Sequence, residues 1–486
     1  MSAAIDASAL DASAGRAGSL PPGPRTPRAV QAMQRIWRYA EFSDRGHERY
    51  GDTFSVRVGS SPTAVLTRDR EVIRRLYTGD PLGKRHGNDL LSTFLGAQSM
   101  LMLEPPEHLT RRKMLLPPFH GERVQSYARL MQRLTVAELD RLRPGEVVKV
   151  QPIAQALTLD VILQAVFGIS DAGMRKRLRG IFDALNTPLN SLALFLPQLT
   201  RRARWNLLSR RPWRLKDELD ALLFEHIAAT RADPLLDERE DILAMMVCAR
   251  DEDGDGLSDD QLRDELITLI VAGHETTATA TAWGVELLLH NPAVLARARE
   301  GEDAYLEALV KEILRIRSPI PITSARHMLE PFTIGSWTIP PEVAVLVDAY
   351  GVHHDPRTYP EPHAFRPERF LEDPPDGYSF LPFGGGAHRC LGASLALLEM
   401  KVVLRELLAR VELERTTDTL ARAVPGGPTL RPRGGTRVRV LARRTVEGTM
   451  PVAPAFVASS SAPAFGCVAR TSNTAVKPIR GSPAES

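Results

Sequence analysis

The sequence predicts a mainly α-helical protein with small β-sheets. Apolar residues recur at helical spacing in the segments 121–143, 153–168, 171–186, 212–230, 258–290, 302–317 and 392–411. The β-rich runs are few and short, at 53–58 and 63–67 on either side of a Gly-Ser-Ser-Pro turn, and again within 332–348. Helices and strands do not alternate regularly, so a doubly wound parallel sheet is not expected.

The composition is that of a globular chain without a charge bias. The 486 residues are 43% hydrophobic and 25% charged, enough for several ordinary domains or one large domain. A net charge of +3 does not favour a nucleic-acid partner. Three cysteines cannot build a disulfide scaffold, and neither a signal peptide nor an apolar run near the ~18 residues of a membrane span is visible. We therefore expect a cytoplasmic protein without a transmembrane anchor.

The two ends of the chain differ from its middle. Residues 1–20 are rich in Ala, Ser, Gly and Asp without periodicity, and residues 445–486 are mostly Ala, Ser, Pro and Thr. We expect a disordered N-terminal segment over 1–20, a folded domain over 21–444 and a low-complexity tail over 445–486.

The segment 258–290 predicts the longest helix, with polar residues at its apolar centre. Ser258 and Gln261 have the spacing of a capping box at its start, and a Pro follows Asn291 at its end. The centre reads Ala-Gly-His-Glu-Thr-Thr over 272–277, and burying such polar groups is costly unless they serve a function. A zinc HExxH site is excluded because position 278 is Ala.

A glycine-rich loop leads into the helix predicted over 392–411. The stretch Phe383–Gly392 places three consecutive glycines before Cys390. Glycines permit positive φ and a close approach of backbone amides to the sulfur, and a helix N-terminus lowers the pKa of a thiol. This arrangement predicts a cysteine thiolate as the axial ligand of a haem iron, with Phe383 screening the sulfur.

With this loop the sequence resembles the cytochrome P450 family, the haem-thiolate monooxygenases, in their soluble bacterial type. Further motifs occur in the family's order between about Pro21 and Arg443. They are the His-x-x-x-Arg of His108 and Arg112, the oxygen-activation motif at 272–277, the Glu-x-x-Arg of Glu312 and Arg315, and the Pro-Glu-Arg-Phe that contains Arg369. The resemblance implies the cytochrome P450 fold in a single large catalytic domain.

The resemblance also implies a role for each motif residue. Cys390 would be the axial ligand of haem b, Glu275 and Thr276 would be catalytic through proton delivery, and Glu312, Arg315 and Arg369 would form a structural ion cluster. The remaining haem-binding residues implied are His108, Arg112, Arg326, His388, Phe383, Gly384 and Gly386. The substrate pocket implied by the family's layout comprises Phe94, Leu95, Met100, Leu101, Leu192, Leu269, Ala272, Ile320, Ile322, Thr323 and Thr429.

The implied activity is the insertion of one oxygen atom from O2 into a lipophilic small molecule of secondary metabolism, of terpenoid, steroid, fatty acid or polyketide type. A fused reductase does not fit in the chain, so NAD(P)H acts indirectly through a separate ferredoxin or flavodoxin with its reductase. A basic docking face for that partner is predicted at Arg111, Lys113, Arg389, Lys401 and Arg405.

Two alternatives stay open. One is a haem-thiolate enzyme that is driven by peroxide or needs no external electrons. The other is a non-catalytic haem-binding protein. The intact pair of Glu275 and Thr276 argues against both, because neither needs a proton relay in the pocket.

Overall fold

The computed structural model of this chain describes residues 20–58, 61–78, 83–84, 92, 95–185, 207–427 and 429–444. The predicted tail over 445–486, the N-terminal segment up to residue 19, and the pocket candidates Phe94 and Leu192 lie outside these residues.

Helices dominate the described part of the chain, as predicted. The N-terminal half contains α1 (Arg28–Trp37), α2 (Tyr39–Tyr50), α3 (Arg70–Thr78), α4 (Glu107–Leu115), α5 (Glu122–Ser126), α6 (Ala128–Leu139), α7 (Val150–Ala165) and α8 (Ala172–Leu185). The C-terminal half contains α9 (Leu207–Arg231), α10 (Ile242–Cys248), α11 (Asp259–His290), α12 (Pro292–Ala298), α13 (Asp303–Ile316), α14 (Ala349–His353), α15 (Arg369–Glu372) and α16 (Ala393–Arg410).

The strands form small sheets. They are β1 (Thr53–Val58), β2 (Ser61–Thr67), β3 (Gly83–Lys84), β4 (Val147–Lys149), β5 (Ile322–Met328), β6 (Phe332–Ile334), β7 (Trp337–Ile339), β8 (Ala344–Asp348), β9 (Val411–Arg415), β10 (Ala423–Gly426), β11 (Thr429–Pro432) and β12 (Arg437–Arg443). The largest described sheet has the order β1-β2-β8-β5-β3, and a second has the order β4-β12-β9. The pairs β6-β7 and β10-β11 are antiparallel hairpins.

The hairpin predicted from 53–58 and 63–67 is present as β1 and β2, paired antiparallel. The β-rich stretch 332–348 is also present, as β6, β7 and β8. Strand β8 then pairs in parallel with β2, which joins two parts of the chain that are far apart in sequence.

Helix α11 lies at the centre of the fold and packs against α7, α9, α13, α16 and β11. Its capping box is formed, since Ser258 Oγ accepts from the Gln261 backbone N–H at 3.2 Å while the Gln261 side chain accepts from the Ser258 N–H at 2.9 Å. A Cβ at Gly273 would lie 2.9 Å from Ile162 Cδ1 of α7, so glycine lets the two helices approach closely at the middle of α11.

No helix in the described part of the chain combines the length and the apolar character needed to cross a bilayer.

Candidate active site

The loop before α16 is closed by its own backbone and requires glycine. The Cys390 N–H donates to the Phe383 carbonyl at 2.9 Å. Gly384 and Gly386 have φ values of 65° and 63°, in the left-handed region. A Cβ at Gly386 would also lie 2.5 Å from the Tyr77 carbonyl oxygen, so a larger residue would displace either the loop or α3.

The Cys390 thiol accepts a hydrogen bond from the Gly392 N–H at the start of α16. The side chain is accessible, yet enough protein surrounds it for burial to raise the pKa of the thiol. The Gly392 amide and the positive charges of Arg389 and Arg112 oppose this shift without cancelling it. The expected lowering of the pKa of Cys390 is therefore wrong for the protein alone, because desolvation outweighs the helix terminus. An accessible but desolvated sulfur lies in a recess of the interior.

Basic side chains from two elements meet beside this recess. The imidazole rings of His108 and His388 stack with centroids 3.8 Å apart. Arg112 lies one turn along α4 from His108, half-buried, and burial lowers its pKa while the charge of Cys390 raises it. The structure thus brings His108, Arg112, His388 and Cys390 together.

Strand β5 approaches the same loop at Thr323, whose carbonyl oxygen would lie 3.3 Å from a Cβ on Gly384. The Tyr77 ring packs where a Cβ of Gly385 would lie, at 2.3 Å from that position, and the Tyr77 hydroxyl is 3.3 Å from Thr323 Oγ1. Burial lowers the pKa of Arg326, and Glu104 and Tyr77 raise it through their charges.

The centre of α11 has an accessible stripe in an otherwise buried helix. Ala272 is exposed, and Leu269 and Thr276 are half-buried, so positions i, i+3 and i+7 share one open face. The Thr276 hydroxyl donates back to the Ala272 carbonyl, one turn earlier, at 2.7 Å.

Glu275 points away from this stripe into a buried polar network. Its carboxylate accepts from Gln155 Nε2 of α7 at 2.6 Å, and the hydroxyls of Thr279 and Thr429 lie nearby. Burial raises the pKa of Glu275, and the hydrogen bond from Gln155, the charge of Arg431 and the two hydroxyls oppose the rise. Gln155 has no signal in the sequence beyond its position one turn after Gln151 on a mostly apolar helix.

Glu312, Arg315 and Arg369 form one buried ion cluster. Arg315 donates twice to the Glu312 carboxylate, at 2.7 and 2.9 Å, and Arg369 Nε donates to it at 3.2 Å. The backbone N–H of Arg366 adds a fourth donor at 2.9 Å. The cluster ties α13 to the segment 360–369, because both guanidinium groups also donate to carbonyls there.

The pocket candidates fall into two groups. Leu95 and Met100 are buried in the apolar core and Leu101 packs against it; this loop is fixed to α11 by the Met100 N–H, which donates to Glu265 at 2.8 Å. Ile320, Ile322 and Thr323 remain partly or well exposed. Thr429 is buried and belongs to the network around Glu275.

Three of the five residues predicted for the docking face are buried and paired. Arg111 donates to Glu265 at 3.1 Å, and Lys401 and Arg405 both bind Asp303. These three are not available to a partner, because each already neutralises a carboxylate within the fold. Lys113 and Arg389 are exposed.

The residues present fit a haem. A desolvated thiol lies in a recess, several basic side chains beside it match two propionates, and the open stripe on α11 offers a small, apolar surface to a planar group. Together with the helical fold, this site has the features expected of a haem-thiolate protein.

The comparison with family models agrees. The cytochrome P450 model matches residues 21–432, and the chain belongs to the cytochrome P450 family. It is therefore a haem-dependent oxidoreductase of the monooxygenase class.

Similar proteins are found in mycobacteria. The chain is 38% identical over 444 residues to a Mycobacterium tuberculosis protein assigned as cytochrome P450 135B1, covering 88% of this chain and 93% of that protein. It is 37% identical over 432 residues to one assigned as cytochrome P450 137 in the same species, covering 86% and 90%.

Solved structures share the fold. Retinoic acid bound cyanobacterial CYP120A1 gives a TM-score of 0.73 at 24% identity, covering 88% of this chain and 100% of that chain. The cytochrome P450DA heme domain gives a TM-score of 0.76 at 21% identity, covering 88% and 99%.

Proposed function

We propose that this protein inserts one atom of O2 into a lipophilic small molecule, with electrons from NAD(P)H delivered by a separate ferredoxin or flavodoxin and its reductase. The observation that carries the proposal is the centre of α11. There an accessible apolar stripe adjoins Glu275, a buried carboxyl whose pKa is raised.

The residues around Cys390 would hold the cofactor. Cys390 would ligate the iron through sulfur, and the Gly392 N–H would moderate the charge on that sulfur. His108, Arg112, Arg326 and His388 would neutralise the propionates. When bound, haem supplies the oxygen-activating chemistry, and thiolate ligation favours cleavage of the O–O bond.

Proton delivery would fall to Glu275 and Thr276. The Thr276 hydroxyl donates its hydrogen to the Ala272 carbonyl, so its oxygen is left to accept a hydrogen bond from a water on the open stripe and to position that water. Burial raises the pKa of Glu275, which favours a carboxyl that can give up and take back a proton, and Gln155 holds the carboxylate in place.

The substrate class follows from the lining. Leu269, Ala272, Ile320 and Ile322 present aliphatic surface and no fixed charge, which suits a terpenoid, steroid, fatty acid or polyketide. Of the candidate docking residues, Lys113 and Arg389 are those still exposed for an acidic redox partner.

The direct test of the reaction uses isotopic oxygen. Compounds of the four classes are first screened for a spin-state shift of the haem-loaded protein, and a ligand that gives one is incubated with ferredoxin, reductase, NADPH and ¹⁸O2. We expect one ¹⁸O atom per product, and a product yield per O2 that falls severalfold in Thr276→Ala.

The outcome also separates the alternatives. Turnover with hydrogen peroxide alone, at the same rate in wild type and Thr276→Ala and without incorporation from ¹⁸O2, would contradict the proposal and favour a peroxide-driven enzyme. Thr281→Ala serves as the control, because it removes another hydroxyl of α11 that donates back along the helix, to the Thr277 carbonyl at 2.9 Å.

A further inference from the structure

A second cavity lies away from the haem-binding residues, at the C-terminal end of α11. Its volume is about 520 Å³, within the size range of small-molecule sites. The walls come from the last turn of α11, the segment after β9 and the turn between β11 and β12. The ionisable side chains of the lining are those of Glu286, His290, Arg415, Arg422, Arg433 and Arg437.

The charge of this cleft is positive and largely uncompensated. Arg415 pairs with the exposed Asp418 at 3.2 Å. Arg422, Arg433 and Arg437 form no side-chain ion pair with any residue that the structure describes. Among the lining residues Glu286 is the acid, and its Oε1 already accepts from the Ala421 N–H at 2.9 Å. Exposed arginines held around a concavity repel one another unless an anion joins them.

A buried imidazole at the cleft wall is incompletely bonded. His290 Nδ1 lies 2.9 Å from the Glu286 carbonyl oxygen, to which it donates in the tautomer that fits this contact. His290 Nε2 is buried and has no hydrogen-bond partner within the described part of the chain. Because this nitrogen has almost no accessible surface, it does not open onto the cleft, and the arginines are the groups that an anion there would contact.

We propose that this cleft binds a phosphate-bearing anion with at least two charged groups, for which pyrophosphate is the simplest probe. The guanidinium fork matches phosphate oxygens, and several arginines around one concavity suit a polyanion more than a single carboxylate. Among the described residues of the lining none is Phe, Tyr or Trp, so recognition rests on the phosphates and not on stacking of a base. A dissolved phosphate ester and a phospholipid headgroup share this chemistry.

The proposal is independent of the reaction at the haem site, and calorimetry tests it on the full-length, haem-loaded protein. Pyrophosphate is titrated at constant ionic strength into wild type, an Arg433→Gln/Arg437→Gln double variant and Arg439→Gln. Arg439 is the matched control, since it lies on β12 outside the cleft, 3.9 Å from Glu414. Loss of charge-assisted hydrogen bonds predicts affinity at least about tenfold weaker in the double variant and unchanged in the control.

A second arm identifies the source of the anion. Co-sedimentation with phosphatidylglycerol vesicles is compared for the same three proteins. Pyrophosphate binding that depends on Arg433 and Arg437 supports a dissolved ligand, and vesicle binding with that dependence supports a headgroup. If the protein binds neither pyrophosphate nor the vesicles, the proposal is overturned. It is also overturned if Arg439→Gln weakens binding as much as the double variant does.

Discussion

At the scale of single residues, Gln155 provides the short hydrogen bond that holds Glu275 in place. Gln155 Nε2 lies 2.6 Å from its carboxylate, and no cation pairs with it directly among the described residues. A neutral amide does not force the side chain of Glu275 into its ionised form as a paired cation would. Glu275 therefore remains able to exchange a proton. Gln155 is therefore a positioning residue in this account.

Replacing Gln155 by Leu should shift the pH dependence of coupling. The hydrogen bond from Gln155 opposes the rise in the pKa of Glu275, so its loss should raise that pKa further. The alkaline limb of product formed per O2 consumed should then move to higher pH. Gln164→Leu, on the same helix, is the control. An unshifted profile in Gln155→Leu would show that the amide does not act on Glu275.

The exposed Lys113 should contribute to reduction by a separate electron donor. Its pairing with Glu252 is solvent-exposed and stabilises little. Lys113→Glu should slow reduction by an acidic ferredoxin severalfold at low salt and flatten the salt dependence, as measured by stopped flow. Arg439→Glu should leave both unchanged; equal effects of the two variants would mean that the interaction depends only on net charge.

At the scale of elements, the buried ion cluster joins α13 to the segment that precedes α15. Arg369→Leu removes one of the cations that neutralise Glu312, and breaking such a cluster costs roughly 3–5 kcal/mol. We expect a lower urea midpoint and faster haem loss. Arg366→Leu is the control, because its exposed side chain pairs only with Glu372 while the backbone N–H that bonds Glu312 is kept. Equal stability of the two variants would contradict the structural role of Arg369.

Helix α16 carries a buried carboxyl that should make stability depend on pH. Burial raises the pKa of Glu399 from its ordinary 4.5 to about 8. The folded state favours the neutral form of Glu399. The contribution of this group to the free energy of unfolding is therefore fully present below pH 4.5, and it is lost as the pH rises towards 8. Glu399→Gln should therefore raise the melting temperature relative to wild type at pH 8.5 and hardly at pH 5. An equal rise in melting temperature at both pH values would contradict this interpretation. The control is Glu414→Gln on the surface, which should leave the melting temperature unchanged at both pH values.

At the scale of the whole molecule, local patterns in the sequence were sufficient for some features and not for others. The long helix with its cap and the loop of Cys390 were predictable, because their signals lie within one segment. Strand β4 was not, since Lys149 pairs with Arg437 across most of the chain. The contact of Gln155 with Glu275 spans 120 residues and has no local signature. Burial of Arg111 likewise depends on Glu265, a partner on another helix.

The proposed limits of the catalytic domain can be tested by truncation. At the start, the Pro21 carbonyl accepts from Ser55 Oγ at 2.6 Å, and at the end β12 completes a sheet with β4 and β9. A chain of residues 20–444 should therefore bind one haem and melt within a few degrees of the full-length protein. Loss of haem on truncation would place part of the domain in a terminal segment.

The central claim is that Cys390 supplies a thiolate to a haem iron. The most direct measurement is the difference spectrum of the reduced protein with and without carbon monoxide, for wild type, Cys390→Ser and Cys390→His. We predict a Soret band strongly red-shifted from that of histidine-ligated haem in wild type, its absence in Cys390→Ser, and a histidine-type position in any haem retained by Cys390→His. A wild-type spectrum without the red shift, or one that is unchanged in both variants, would contradict the account.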